Sequence, residues 1–259
     1  MNHPPNASTS IPPTGPVTLI TGASSGIGQA VARQLAAEGH WLVLAARRIE
    51  KLQQLVGEIG PTAIAIQADM QRVSDLEQLA RQAQDGFGRV DVLINNAGVG
   101  ENHVAYAATD AQIQLIMGTN FNAPVQLARY IVPGMVERKR GHIINIGSVA
   151  SHLAMPTSSL YAASKHALKG WNDALRRELR HTGVHVSLVC PGFIRTPMTA
   201  GIKAPMPGPE AVAKVISRLL RHPRREVFVP GIYGWLTALT KLSPALTDFL
   251  LARIDRSRI

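Results

Sequence analysis

The 259-residue sequence predicts an α/β fold, a doubly wound parallel sheet of about seven strands with helices on both faces. Three features predict it. Short runs rich in aliphatic and β-branched residues are continuously apolar rather than alternating, as strands buried on both faces are. Between them lie windows with apolar residues three and four apart, as in helices that cover a sheet. A glycine-rich turn directly follows the first apolar run, where such a sheet opens onto a ligand.

The elements follow in order. The first 15 residues, rich in Pro, Ser, Asn and Thr, are expected to form a flexible tail. Val17–Thr21 is the first strand. Residues 27–38 show helical spacing through Ile27, Val31 and Leu35 and stop at Gly39. A strand at 41–45, a helix at 49–58, a strand at 62–67, a helix at 74–87 and a strand at 90–94 come next. Residues 109–136 are long enough for one long helix or two shorter ones. A strand at 142–147, a helix at 158–181, a strand at 184–189 and an edge strand at Glu226–Val229 complete the sheet. The expectation is one domain over 16–230, with 231–259 as its amphipathic helical extension.

Composition narrows the function classes. With 46% hydrophobic and 17% charged residues the chain can fill a large core and is not a disordered polymer. Only 5% of residues are aromatic, which argues against stacking-based nucleic-acid modules, and no nucleic-acid partner is expected. The single Cys190 excludes an intramolecular disulfide framework and a Cys-based zinc cluster, and is expected to be an inert buried thiol. No run reaches the ~18 apolar residues of a spanning helix. The start lacks a cationic segment followed by an apolar run, so a cytoplasmic protein is expected. Net charge is +10, and from Lys214 onward nine Lys/Arg stand against three Asp/Glu.

The turn after the first strand is Thr21-Gly22-Ala23-Ser24-Ser25-Gly26-Ile27-Gly28. Its glycines permit a tight turn and close backbone approach, and the helix that follows presents free N–H groups and a positive dipole end to a pyrophosphate. No Gly-Lys-Ser/Thr follows, which excludes the Walker phosphate loop. About twenty residues on, where NAD sites often place a carboxylate for the ribose 2′-hydroxyl, the chain has Ala46 and then Arg47 and Arg48. Guanidinium groups welcome a 2′-phosphate. NADP(H) is therefore expected over NAD(H), with Arg47 the leading candidate and Arg48 either its partner or an exposed charge.

Further motifs stand in the same order along the chain. Asn95-Asn96-Ala97-Gly98 follows the fourth strand, and Ser148 ends the fifth, thirteen residues before Tyr161-Ala162-Ala163-Ser164-Lys165. Pro191-Gly192 closes the sixth strand, with Thr196 beyond it. Together with T-G-x-x-x-G-x-G, this set resembles the single-domain branch of the short-chain dehydrogenase/reductase family over residues 17 to about 197. The resemblance implies a Rossmann-type fold and hydride exchange between a carbonyl and an alcohol. It places Gly22, Ser24, Ser25, Gly26, Ile27 and Gly28 on the cofactor, and Asp69 and Met70 at its adenine. It assigns Asn96, Ala97 and Gly98 to the adenosine side, with Asn95 either there or supporting strand four. Pro191, Gly192 and Thr196 would approach the nicotinamide.

Tyr161 and Lys165, four apart on a helix, share one face. A phenol titrates near about 10, and a neighbouring ammonium, like an oxidised nicotinamide, is expected to lower that value so Tyr161 can act as acid and base. Ser148 would orient the substrate oxygen. The resemblance further implies that Lys165 holds the nicotinamide ribose and that Asn120 holds a water linking Lys165 to solvent.

The Pro-, Gly- and Met-rich stretch 196–209 occupies the place of a substrate lid, with Met198 and Met206 as apolar lining. Val99, Gly100, Leu153 and Ala154 would add to the pocket, and His103 and His152 fall near its mouth. An apolar aldehyde or ketone, or the matching alcohol, is the expected substrate. The family suggests a homodimer or homotetramer built through the long helices flanking the fifth strand. A non-catalytic NADP(H)-binding regulator and a sugar-nucleotide epimerase are the rival readings. Intact Ser148, Tyr161 and Lys165 oppose the first; the glycine spacing and short C-terminus oppose the second. Trp235, Leu239, Leu242, Leu246 and Phe249 recur at helical spacing, with Pro244 dividing the segment. This face is expected to pack over the pocket or a second subunit, or to give peripheral contact with an anionic membrane surface.

Overall fold

A computed structural model of the chain describes residues 12–101 and 104–254. Seven parallel strands form one sheet in the order β3-β2-β1-β4-β5-β6-β7. They are β1 (Val17–Thr21), β2 (Trp41–Ala46), β3 (Ala63–Gln67), β4 (Val92–Asn95), β5 (Gly141–Ile146), β6 (Val184–Pro191) and β7 (Glu226–Val229). The crossovers are α1 (Gly26–Ala37), α2 (Ile49–Ile59), α3 (Val73–Phe87), α4 (Asp110–Met117), α5 (Ala123–Glu137), α6 (Ser159–Glu178) and α7 (Pro209–Arg221). Helices α8 (Ile232–Leu242) and α9 (Pro244–Ile254) follow the last strand and divide at Pro244, as its ring requires.

Side chains alternate across each strand, so the sheet feeds two cores. Val17, Leu19 and Val43 face α3 and α5 in one, where Leu79, Leu127 and Ile131 are buried. Ile20, Leu42 and Leu44 face α1, α2 and α7 in the other, where Val31, Leu35, Leu52 and Ile216 are buried. At the start of the sheet Gly15 is already held, its carbonyl accepting from Arg89 Nη2 at 3.1 Å. The remaining tail residues 1–11 lie outside the described ones.

Of the two arrangements left open for 109–136, the structure takes two helices, joined by a π-helical turn, Gly118–Asn122. Thr109 starts α4 with a capping box closed by Gln112. Helix α7 was not anticipated. Val212, Ala213, Ile216 and Leu219 give it a buried stripe and Pro209 opens its first turn. A parallel pairing of β6 with β7 demands such a crossover.

The carboxyl ends of all seven strands share one edge. Beyond that edge β1 leads into the glycine turn, β4 into Asn96–Gly98 and β5 into Ser148, which gathers the predicted residues at the point where strand order reverses.

Candidate active site

One cleft of about 910 Å³ runs along this edge. Its lining includes the predicted cofactor contacts Gly22, Ser24 to Ile27, Arg47 and Arg48, Asp69 and Met70, Asn96 to Gly98, Pro191, Gly192 and Thr196, whereas Gly28 lies behind the wall. Ser148, Tyr161 and Lys165 line the same cleft, with Val99, Gly100 and Leu153. Asn120, Asn95 and Ala154 are not in its wall.

The glycine turn is shaped by backbone needs. Gly22 and Gly26 have φ of 67° and 57°, the left-handed region that disfavours other residues. Gly28 is required by space: a Cβ there would lie 2.5 Å from both Asn96 Nδ2 and the Gly22 carbonyl oxygen. Asn96 braces the turn, its Nδ2 donating to the carbonyls of Thr21 at 2.8 Å and Gly22 at 3.2 Å. Ser25, at the N-cap of α1, makes no side-chain capping bond, so that hydroxyl leaves the first-turn N–H groups free for an anion. These features fit the diphosphate of a dinucleotide.

Both arginines line the cleft, in different ways. Arg48 crosses to the glycine turn, with Nη2 donating to Ser24 Oγ at 2.9 Å and Ser25 Oγ at 2.8 Å. Arg47 is exposed on the cleft wall, and its carbonyl is held by Gln67 Nε2 at 2.9 Å. Asp69 also lies at this end, its Oδ1 accepting from Gln71 N at 3.1 Å.

Asn95 settles as a structural residue. Buried, it donates to Asn145 Oδ1 at 2.8 Å, and Asn145 donates to Asn172 Oδ1 at 2.9 Å, a chain linking β4, β5 and α6 inside the core. Asn120 is fully buried in the π-helical turn. Its Oδ1 accepts from Val99 N and its Nδ2 donates to Val99 O, both at 2.9 Å, and to Ser164 Oγ at 3.0 Å. Its amide is therefore committed to clamping the loop after β4.

Ser148 opens a single 3₁₀ turn, Val149–Ser151, and its Oγ accepts from Ala150 N at 3.1 Å. Tyr161 lines the same wall of the cleft, and the Ser148 hydroxyl is near enough to draw its pKa down. Lys165 lies one helical turn beyond Tyr161, with Nζ 5.8 Å from the phenol ring centroid and donating to Ile146 O at 2.8 Å. Burial lowers Lys165 from its usual 10.5 to about 8. For Tyr161 the expected lowering is overturned. Burial raises its pKa and outweighs the opposite pull of the Ser148 hydroxyl.

His152, expected near the mouth, turns inward instead. Its Nε2 lies 2.6 Å from Glu226 Oε1, which also accepts from Cys190 Sγ at 3.4 Å. Burial, then the neighbouring Glu226, pushes the Cys190 thiol well above its usual range, consistent with an inert group. The set ties β6 and β7 to the end of the Ser148 turn. His103 lies outside the described residues.

Sequence reasoning missed Tyr233, Leu236 and Leu251, which line the substrate end with Met198 and Ile202. Tyr233 rests on Gly192, where a Cβ would run into its ring. Helical spacing had drawn attention to the opposite face of α8, so no local signal marked Tyr233. Of the lid methionines, Met198 lines the cleft and Met206 does not.

The comparisons agree with this geometry. The short chain dehydrogenase family model matches residues 16–207. The chain is 38% identical to a ketoacyl reductase, HetN, of Nostoc sp. over 94% of this chain and 88% of the relative. It is 36% identical to dehydrogenase/reductase SDR family member 7B of Danio rerio over 93% and 86%. A short-chain dehydrogenase/reductase from Burkholderia phymatum, solved with NAD, superposes with a TM-score of 0.84 at 26% identity, covering 91% of this chain and 96% of that one. A metagenomic short-chain oxidoreductase solved with NADP gives 0.74 at 35% identity, covering 82% and 96%. With its T-G-x-x-x-G-x-G turn, its Ser148–Tyr161–Lys165 set and this family match over most of its length, the chain belongs to the short-chain dehydrogenase/reductase family of oxidoreductases.

Proposed function

We propose that this protein is an NADP(H)-dependent reductase of apolar aldehydes and ketones. The observation that carries the reading is the gathering of Ser148, Tyr161 and buried Lys165 in one cleft that Arg47 and Arg48 also line. The dinucleotide, when bound, supplies the hydride and its own electronic chemistry. The chain supplies the proton and the geometry. Ser148 Oγ donates to the substrate carbonyl oxygen and fixes its direction. Tyr161, kept protonated by burial, gives its proton to the same oxygen as the alcohol forms. Lys165, still an ammonium at neutral pH, supports the phenolate left behind. Gly22, Gly26 and Gly28 admit the diphosphate, and Arg48 with Arg47 presents guanidinium groups where a 2′-phosphate would lie.

Leu153, Met155, Met198, Ile202, Leu236 and Leu251 make the substrate end apolar. This suits a carbonyl on an alkyl or acyl chain, as the ketoacyl reductase relatives act on. Tyr161→Phe removes one hydroxyl and little volume. It should lower turnover of aldehydes and ketones, read as NADPH absorbance, by about a hundredfold or more while NADPH binding stays within about twofold. Retained turnover would remove Tyr161 from the proton-donor role.

A further inference from the structure

Helix α8 has its polarity inverted. The residues it turns toward the fold are Tyr233, Gly234 and Thr237: Gly234 lies against Phe228, and Thr237, buried, bonds the Gly234 carbonyl at 3.1 Å. The residues it turns to solvent are Ile232, Trp235, Leu236, Leu239 and Leu242, and three of these exceed two-thirds exposure, at 68%, 76% and 81% for Ile232, Trp235 and Leu242. Their spacing of three and four makes one continuous stripe. Phe249 of α9 adds to it, and Phe193, Met198 and Ile202 extend it across the lid. Among the described residues, nine of the twelve exposed large apolar side chains belong to this one region. A water-facing stripe of this size marks a surface that is covered in use.

We propose that this stripe is a membrane-docking face that lays the mouth of the cleft on an anionic bilayer. Leu236 belongs both to the stripe and to the cleft wall, and Met198, Ile202 and Leu251 continue that wall. A second copy of the chain seated here would close the substrate entrance, whereas a bilayer surface would feed it with apolar molecules. Trp235 on the exposed apolar face suits the headgroup boundary. The net charge of +10 draws the whole chain toward anionic lipid, and residues 231–259 carry four Lys/Arg against two Asp/Glu. The denser basic group at Arg221, Arg224 and Arg225 does not join this face. It precedes β7 at the opposite edge of the sheet, and Arg225 pairs with Asp173 at 3.2 Å. Docking therefore rests on the apolar stripe, with charge assisting.

The docking stands apart from the proposed reaction; only the delivery of a lipid-borne carbonyl depends on it. The test uses the full chain with vesicles of phosphatidylglycerol and phosphatidylcholine, sedimented and quantified. A doubly polar variant, Trp235→Ser with Leu239→Ser, changes residues that do not line the cleft. Wild type should sediment with the anionic vesicles, more weakly with phosphatidylcholine alone. The variant should lose at least tenfold in partitioning while its circular dichroism and gel-filtration volume are unchanged. Equal partitioning of variant and wild type, or absence of wild-type binding, overturns the proposal. A wild-type dimer that the variant converts to monomer, with no vesicle binding by either, overturns it in favour of a subunit interface. Because binding is read without turnover, its failure is distinct from any failure of the reductase reading.

Discussion

Replacing Lys165 by Met should change how stability depends on pH in a way calculable from the structure. Lys165 is 4% exposed, and burial lowers it from 10.5 to about 8. A difference of that size between folded and unfolded chains is worth about 3 kcal/mol. Below about pH 8 both states hold the lysine proton, and the fold carries the full cost of the buried ammonium. Between about pH 8 and 10.5 the folded chain releases the proton while the unfolded chain keeps it, so stability rises with pH. Met has similar length and no charge, so the variant lacks this titration.

The quantity to measure is the stability difference between variant and wild type at pH 7 and again at pH 10, by urea unfolding. Loss of the bond to Ile146 O and changes in packing enter both values equally and cancel. Wild type should gain about 2.5 kcal/mol on the variant between the two pH values. A difference that stays constant, or moves against wild type, would show that Lys165 is not a desolvated ammonium and would refute the reasoning.

Three other substitutions probe the cofactor end. Arg48→Ala should weaken NADPH binding by about tenfold or more, as loss of a charge-assisted hydrogen bond does, and leave NADH nearly unchanged; Arg47→Ala should have the smaller effect. Fluorescence titration gives all four constants, and equal losses for both nucleotides would move the phosphate site elsewhere. Gly28→Ala inserts a methyl 2.5 Å from Asn96 Nδ2 and the Gly22 carbonyl, so the turn must shift; a loss of about 1–3 kcal/mol in stability is expected, with dinucleotide binding impaired. Unchanged thermal unfolding and binding would mean that the turn is looser than its contacts imply.

The sheet was legible because its strands are buried on both faces and read as uninterrupted apolar runs, and the motifs sit at strand ends where topology gathers them. Other features depend on tertiary geometry. Which of two adjacent arginines turns to the glycine loop is set by how β2 leaves the sheet, and only the structure shows Arg48 crossing to it. Helix α7 was hidden behind a Pro- and Gly-rich stretch, although Pro209 and the Val212–Ile216–Leu219 spacing announce it. The direction of the Tyr161 shift was misjudged because spacing shows its neighbours and not its depth.

Depth also gives the pair its working state. Burial pushes Tyr161 and Lys165 toward their neutral forms, raising one and lowering the other. The two shifts have unequal consequences at pH 7. The phenol moves further from titration and retains its proton. The lysine, at about 8, still carries its charge there. The cleft thus rests with a proton on the tyrosine oxygen and the lysine Nζ 5.8 Å from the phenol ring centroid. That arrangement suits the proton-donating half of the reduction proposed for the site. Oxidising an alcohol must first take the Tyr161 proton out of a buried site, a step the local dielectric opposes. In the proposed reductase, the protonated tyrosine and charged lysine are the state in which the pair meets a carbonyl.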